Sequence, residues 1–210
     1  MELIKELPAL GRDLGPGLIL IGLTSLAAIL VGCLFEEWET LPWMATATVS
    51  LCGIGLLLRF LPKTSKVPRT STSIAATALV WVIVGLCGSL PFLFTGMSFL
   101  DAAFESMSAW TGTGFSIVAD IESWPKTLLF WRSFMQWVGG LGIVAFTLTV
   151  ATRSGLITRG LYNSESGSQA FMPSVISTAF QMWKIYAVLT VAAVLAILLT
   201  GVGLWDAVNL

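Results

Sequence analysis

The sequence predicts an all-α integral membrane protein, and two observations carry this prediction. Apolar residues make up 56% of the 210 residues and charged residues only 11%, which is too few charges to cover the surface of a soluble fold. The chain also contains several apolar stretches of about 20 residues, the length that an α-helix needs to cross the hydrocarbon core of a bilayer. These stretches are therefore expected to be transmembrane helices.

Five crossings are predicted in chain order: residues 15–35, 41–61, 73–94, 128–150 and 184–202. The first two form a two-span N-terminal segment, residues 1–70, whose ends are cytoplasmic. Residues 71–152 form a helix–pore loop–helix unit, and residues 153–180 are a cytoplasmic linker. Residues 181–210 hold the first helix of a second, incomplete unit.

The charges of the loops predict how the helices are oriented in the membrane. The loop after the second stretch carries basic residues and no acid: Arg59, Lys63, Lys66 and Arg69. The first loop carries acids instead: Glu36, Glu37 and Glu39. Since cytoplasmic loops are enriched in lysine and arginine, the N-terminus and the basic loops are expected on the cytoplasmic side of the cell (inner) membrane.

The residues between the third and fourth stretches predict a re-entrant segment. Residues 101–110 are mostly apolar, and as a helix they reach about 15 Å, or half of a bilayer. Both flanking spans end on the outer side, so this short helix dips into the membrane and returns. Non-helical backbone follows it at residues 111–116, and such backbone is tolerated at that depth only where it faces protein or water.

This segment has the chemistry of a cation filter. Backbone carbonyls can replace the water around a cation, and glycine accepts the positive φ angles that turn them toward one axis. Gly112 and Gly114 alternate with Thr111 and Thr113, whose hydroxyls either add oxygens or brace the strand. The negative C-terminal end of the short helix favours a cation, and Asp101 is expected to cap its N-terminus. The alternative is an ordinary threonine- and glycine-rich surface turn.

Three further features of this region carry predictions. Glu105 and Arg132 are expected to pair and brace the pore helix, because charges within a membrane usually have partners; the alternative is that both side chains reach the headgroup region. Gly139 and its neighbours in the sequence GGLG are expected to allow close helix packing rather than to act as a hinge. Four tryptophans are expected to form an outer aromatic belt: Trp110, Trp124, Trp131 and Trp137.

A short repeat links two parts of the chain. Residues 95–102 read TGMSFLDA and residues 200–207 read TGVGLWDA, at an offset of 105 residues. Each copy closes a predicted spanning helix, and the dipping helix follows the first copy directly. The repeat predicts that a second short helix begins after the second copy, at Leu210.

Enzyme activity is not expected. The chain has no histidine, which removes His-based catalysis and most zinc sites, and Cys33, Cys52 and Cys87 lie in apolar runs without a CxxC spacing. We therefore predict no catalytic residues, no covalent cofactor and no nucleic-acid partner, and an intramembrane enzyme is disfavoured.

Two segments resemble the Trk/Ktr/HKT potassium transporters. Residues 101–115, DAAFESMSAWTGTGF, resemble the first pore helix and filter of that superfamily. Residues 129–143, LFWRSFMQWVGGLGI, resemble the start of the helix that follows the filter. The best match is the TrkH-type membrane subunit, which has two extra N-terminal spans before its first unit, as this chain does.

The resemblance implies potassium uptake through a pore built from four helix–pore–helix units. It makes Gly114 the filter glycine and places carbonyls of Thr113 and its neighbours Thr111, Gly112 and Phe115 along the ion path, with K⁺ bound at Thr113 and Gly114. Many members carry threonine where Gly112 stands. The resemblance also implies a homodimer and a cytoplasmic nucleotide-binding regulatory subunit of the TrkA type. The alternative is a truncated, non-conducting membrane scaffold or dimerisation fragment.

Overall fold

The regular structure is entirely helical in the computed structural model, which describes residues 2–61, 70–153 and 175–209. The helices are α1 (Glu2–Thr24), α2 (Leu26–Leu34), α3 (Leu41–Arg59), α4 (Thr70–Ser89), a 3-10 helix (Leu90–Thr95), α5 (Phe99–Trp110), α6 (Lys126–Arg153), α7 (Val175–Leu198) and α8 (Leu204–Asn209). The predicted all-α fold class is thus confirmed.

Among the described residues, four segments are long and apolar enough to cross a membrane: Leu14–Leu34, Leu41–Arg59, Ile74–Thr95 and Phe180–Leu198. They match the first, second, third and fifth predicted stretches. The fourth predicted stretch is helical within α6, but its side chains beyond residue 142 lie outside the described residues, so this crossing stays a prediction. Residues 62–69 of the basic loop and most of the predicted linker also lie outside them.

The N-terminal helices α1 and α3 pack through glycines. A Cβ atom at Gly15 would lie 2.6 Å from the carbonyl oxygen of Gly55, so only glycine allows the two backbones to approach this closely. The hydroxyl of Ser25, between α1 and α2, donates a hydrogen bond to the Gly22 carbonyl at 2.6 Å. It also shares a hydrogen bond with the hydroxyl of Thr48 in α3. Helices α1, α2 and α3 form an N-terminal hairpin, which is therefore held together by both backbone packing and a polar contact.

The two copies of the sequence repeat have the same local structure. Gly96 and Gly201 have φ angles of +81° and +90°, and each follows the end of an apolar helix. Their N–H groups donate to the carbonyls of Leu93 and Leu198, both at 3.1 Å. A new helix then begins, α5 in the first copy and α8 in the second. The second short helix starts at Leu204, before the predicted start at Leu210, because it begins directly after the turn at Gly201 as α5 does after Gly96.

The described chain divides into two compact units, Met1–Gly139 and Gly140–Leu210. In the first unit the core includes Trp110 and Trp131, which are 2% and 0% exposed, with ring centroids 6.1 Å apart in an edge-to-face contact. The prediction of an aromatic belt was therefore wrong for these two residues. Both side chains lie against Gly88 of α4. In the second unit, a Cβ at Gly140 would lie 3.2 Å from the Tyr186 hydroxyl.

Candidate ion-filter site

The segment between α4 and α6 enters and leaves at the same end of α4. In the last turn of α5, Trp110 lies beside Gly88 of α4, where an added Cβ would be 2.6 Å from the indole Nε1. The chain then returns, and the Trp124 ring lies 5.3 Å from that of Phe92, near the end of the Ile74–Thr95 segment. The C-terminal end of α5 thus lies beside Gly88, before the end of that segment at Thr95.

The N-terminus of α5 is capped by Ser98, not by Asp101. Ser98 has extended φ and ψ angles of −63° and 154°, its side chain accepts the Asp101 N–H at 3.2 Å, and its hydroxyl donates to Asp101 Oδ2 at 2.8 Å. The helix begins at Phe99, before the predicted start, which places Asp101 in the first turn. There its carboxylate lies at the positive end of the helix dipole. The capping role predicted for Asp101 was wrong.

Gly139 sets the approach of α6 to the C-terminus of α5. A Cβ atom on Gly139 would collide with the backbone carbonyl oxygen and carbon of Trp110. Because backbone atoms at a helix end cannot rotate away, the two elements can approach this closely only at a glycine. The prediction of close packing is confirmed for this glycine.

Ser108, in the last turn of α5, organises the strand that follows. Its carbonyl accepts the backbone N–H groups of Thr113 and Gly114 at 3.1 and 3.4 Å. Its hydroxyl donates to the carbonyl oxygen of Phe115 at 2.6 Å. One residue therefore holds three consecutive residues of the strand, and the Phe115 carbonyl is directed back toward α5.

The threonine hydroxyls brace the strand. The Thr111 hydroxyl donates to the Met107 carbonyl at 2.7 Å, and the Thr113 hydroxyl donates to the Ser108 carbonyl at 3.2 Å. Within the part of the chain that the structure describes, no hydrogen bond reaches the carbonyl oxygens of Thr113 or Gly114. The carbonyl oxygens of Thr113 and Gly114 are therefore available to a ligand.

Both glycines of the strand have left-handed backbone angles, as predicted. The φ angles are +68° at Gly112 and +73° at Gly114. An added Cβ would meet nothing within 4 Å at Gly112, and at Gly114 it would be 3.6 Å from Gln136 Nε2. Space is thus available, and the backbone conformation alone requires glycine. A β-branched residue such as threonine at residue 112 would be strained in this conformation.

A fully buried carboxylate holds the far end of the strand. Glu105 accepts hydrogen bonds from the Ser116 hydroxyl and the Ile117 N–H, both at 2.7 Å, and it pairs with Arg132 Nε of α6 at 3.1 Å. The predicted pairing of Glu105 with Arg132 is confirmed, and two side chains reaching separately toward headgroups are excluded. The ion pair and two further donors satisfy a charge that is costly to bury alone.

Sequence reasoning missed two residues that shape this site. A weak indication for Ser108 was present in the sequence, since the hydroxyl of a small residue one turn before a threonine- and glycine-rich strand can hydrogen-bond to that strand. Glu37 had none: it accepts the N–H groups of Lys126 and Thr127, 89 and 90 residues later, both at 2.8 Å. Only the fold brings these residues together.

The long apolar helices define a membrane protein, and main-chain carbonyls that face open space beside them are typical of proteins that pass cations. The family described as "TrkH: Cation transport protein" matches residues 43–204. The chain belongs to this TrkH family.

Similar proteins agree with that assignment. An uncharacterised cation transporter of Methanocaldococcus jannaschii is 36% identical over 209 residues, which are 98% of this chain and 44% of the relative. The Trk system potassium uptake protein TrkH of Halomonas elongata is 35% identical, covering 94% and 42%. The crystal structure of the potassium transporter TrkH from Vibrio parahaemolyticus matches with a TM-score of 0.79 at 30% identity, covering 96% of this chain and 41% of that one. The chain therefore spans less than half the length of these relatives.

Proposed function

We propose that this chain contributes a filter strand to the pore-forming subunit of a Trk-type potassium uptake transporter. Similar proteins named for potassium uptake support K⁺ as the transported ion. The transporter would lie in the cell (inner) membrane with its N-terminus in the cytoplasm, as the loop charges suggest. The segment 99–124, which enters and leaves at one end of α4, would be a re-entrant loop.

One observation carries the filter proposal. The carbonyls of Thr113 and Gly114 receive no hydrogen bond in the described chain, whereas the neighbouring hydroxyls and the Phe115 carbonyl are bonded to α5. Carbonyls held in place without an internal donor can replace the hydration shell of K⁺. Thr111, Gly112 and Phe115 would complete the strand, and the negative end of α5 would favour the cation.

The complete transporter needs more than this strand. Further helix–pore–helix units would surround the ion, and residues 181–210 would begin the second of them after the linker at 153–180. The naming of the relatives as Trk system proteins supports a cytoplasmic nucleotide-binding partner of the TrkA type. A homodimer of the membrane subunit is part of the same proposal. The relatives are named as transporters, which are not enzymes.

The test is potassium uptake by the whole transporter carrying Gly114→Ala, in a cell that lacks its own potassium uptake. We expect growth on low K⁺ to be lost, because alanine at φ +73° is strained by about 1–2 kcal/mol and would reorient the adjoining carbonyl. Gly96→Ala is the matched control, since it introduces the same kind of strain at φ +81° in open space outside the strand.

The controls separate the possible outcomes. Gly96→Ala should retain growth and the preference for K⁺ over Na⁺ at equal amounts of membrane protein. Equal growth of Gly114→Ala and wild type would remove Gly114 from the ion path. Absence of uptake by the wild-type transporter would favour the alternative, a non-conducting membrane scaffold.

A further inference from the structure

The start of α6 is capped by a residue from the N-terminal hairpin. The first N–H groups of a helix have no partner within the helix, and a side chain just before the helix usually accepts them. Here the preceding residue is Pro125, whose side chain has no acceptor. Glu37, between α2 and α3, supplies one instead, with its two carboxylate oxygens accepting the N–H groups of Lys126 and Thr127 at 2.8 Å each.

Other contacts hold the same two residues of α6. The Thr127 hydroxyl donates to Glu37 Oε2 at 2.6 Å, and Thr127 is fully buried. A Cβ atom on Gly32 of α2 would lie 2.8 Å from that hydroxyl oxygen. The ammonium group of Lys126 lies 4.1 Å from the ring centroid of Phe35. We call Gly32, Phe35 and Glu37 the N-terminal clamp.

The residues of α6 that the N-terminal clamp contacts lie less than two helical turns before Arg132, the residue that pairs with Glu105 behind the filter strand. Arg132 follows Thr127 by five residues, which is about 7.5 Å along a helix axis. Between them, Trp131 is locked by a hydrogen bond from its indole N–H to the Gly88 carbonyl at 3.0 Å. Arg132 then pairs with Glu105, which holds the end of the strand.

We propose that Glu37 is a positioning residue for the filter: it fixes the start of α6, so that Arg132 meets Glu105 and Glu105 holds Ser116 and Ile117. This gives the N-terminal two-span segment a role in setting filter geometry. The proposed consequence for ions rests on the proposed function, whereas the mechanical coupling does not. A carboxylate that accepts two N–H groups and a hydroxyl is well suited to the task, because hydrogen bonds to a charged acceptor are the strong ones.

The experiment measures the coupling and the transport separately. Hydrogen–deuterium exchange is followed in the purified whole transporter in lipid nanodiscs, for wild type, Glu37→Gln and Glu37→Asp. The peptides of interest cover residues 112–121 and 126–132. The matched control is Glu39→Gln, which removes the same charge from an exposed position of the same loop. The ratio of K⁺ to Na⁺ uptake is measured for the same variants in vesicles.

We expect Glu37→Gln to accelerate exchange of the Ile117 amide about tenfold. The reason is that losing the charged acceptor at the start of α6 lowers the free energy needed to open the contacts that lead through Arg132 and Glu105 to Ile117. The K⁺ to Na⁺ uptake ratio should fall as well. Glu37→Asp, which keeps the charge, should restore much of the protection, and Glu39→Gln should leave both readouts unchanged.

Two results would overturn the proposal. Faster exchange confined to residues 126–132 would make Glu37 a local cap without influence on the strand. Unchanged exchange in both peptides would show that Glu37 positions neither the start of α6 nor the strand. If residues 112–121 respond but the wild-type transporter moves no K⁺, the positioning role stands and the proposed function fails.

Discussion

The backbone N–H of Ile117 donates to Oε1 of Glu105 at 2.7 Å, which ties an exposed strand to a fully buried carboxylate. The Oε2 atom of the same carboxylate pairs with Arg132 at 3.1 Å. Hydrogen bonds and an ion pair from side chains of α5 and α6 thus fix the conformation of the exposed strand on one of its faces. This arrangement leaves its other face open for a ligand.

The ion pair behind the strand should be strongly coupled. Arg132→Met leaves the Glu105 carboxylate buried without its cation, and we expect it to destabilise the protein by about 3–5 kcal/mol. Adding Glu105→Gln removes the uncompensated charge but keeps an acceptor for Ile117, so the double variant should be more stable than Arg132→Met alone. Thermal unfolding followed by tryptophan fluorescence checks the order. Additive losses from the two substitutions would argue against a functional pair.

Ser108 should matter through its hydroxyl. Ser108→Ala removes the donor to the Phe115 carbonyl, and we expect a loss of about 1–3 kcal/mol together with a lower K⁺ to Na⁺ uptake ratio. Ser106→Ala is the matched control, because Ser106 is also buried in α5, and in the described part of the chain its hydroxyl donates only a weak hydrogen bond to the sulfur of Met135, at 3.8 Å. Rubidium and sodium uptake at equal protein levels compares the two. An unchanged ratio in Ser108→Ala would assign the Phe115 carbonyl no part in filter geometry.

Much of the fold could be predicted because membrane helices leave a local signal. Length and apolarity located the spans, and the positive φ angles of Gly112 and Gly114 followed from the residue type. The pairing of Glu105 with Arg132 could be predicted because a charge at that depth requires a partner and few charges were present.

The remaining features depend on which surfaces meet, and no local pattern encodes that. The cap on α6 comes from Glu37, far away in the sequence, and the Pro125 that precedes the helix signals only that a cap is missing. The burial of Trp131 depends on where α5 ends beside α4. The start of α5 was misplaced because Phe99 belongs to an apolar run, which hid the capping role of Ser98.

Two tryptophans of the core should respond differently to the same substitution. The Trp131 indole N–H donates to the Gly88 carbonyl at 3.0 Å, whereas the buried Trp110 Nε1 has no hydrogen-bond partner in the described part of the chain. Both lose similar ring volume on replacement by phenylalanine. We therefore expect Trp131→Phe to cost about 1 kcal/mol more than Trp110→Phe. Melting temperatures of the two variants measure the difference, and a larger loss for Trp110→Phe would contradict it.

Gly139 should tolerate no side chain. In Gly139→Ala the new methyl group would collide with the Trp110 backbone, so α6 must move away from α5, and overpacking of this kind costs about 1–3 kcal/mol or more. Gly53→Ala in α3 is the control, because its methyl would meet nothing within 4 Å and alanine is the better helix former. We expect Gly53→Ala to retain its melting temperature and Gly139→Ala to lose several degrees, by fluorescence-detected size-exclusion after heating. Equal melting temperatures would mean that α5 and α6 can separate without cost. In that case the contact between Gly139 and Trp110 would not be what keeps Arg132 of α6 opposite Glu105 of α5.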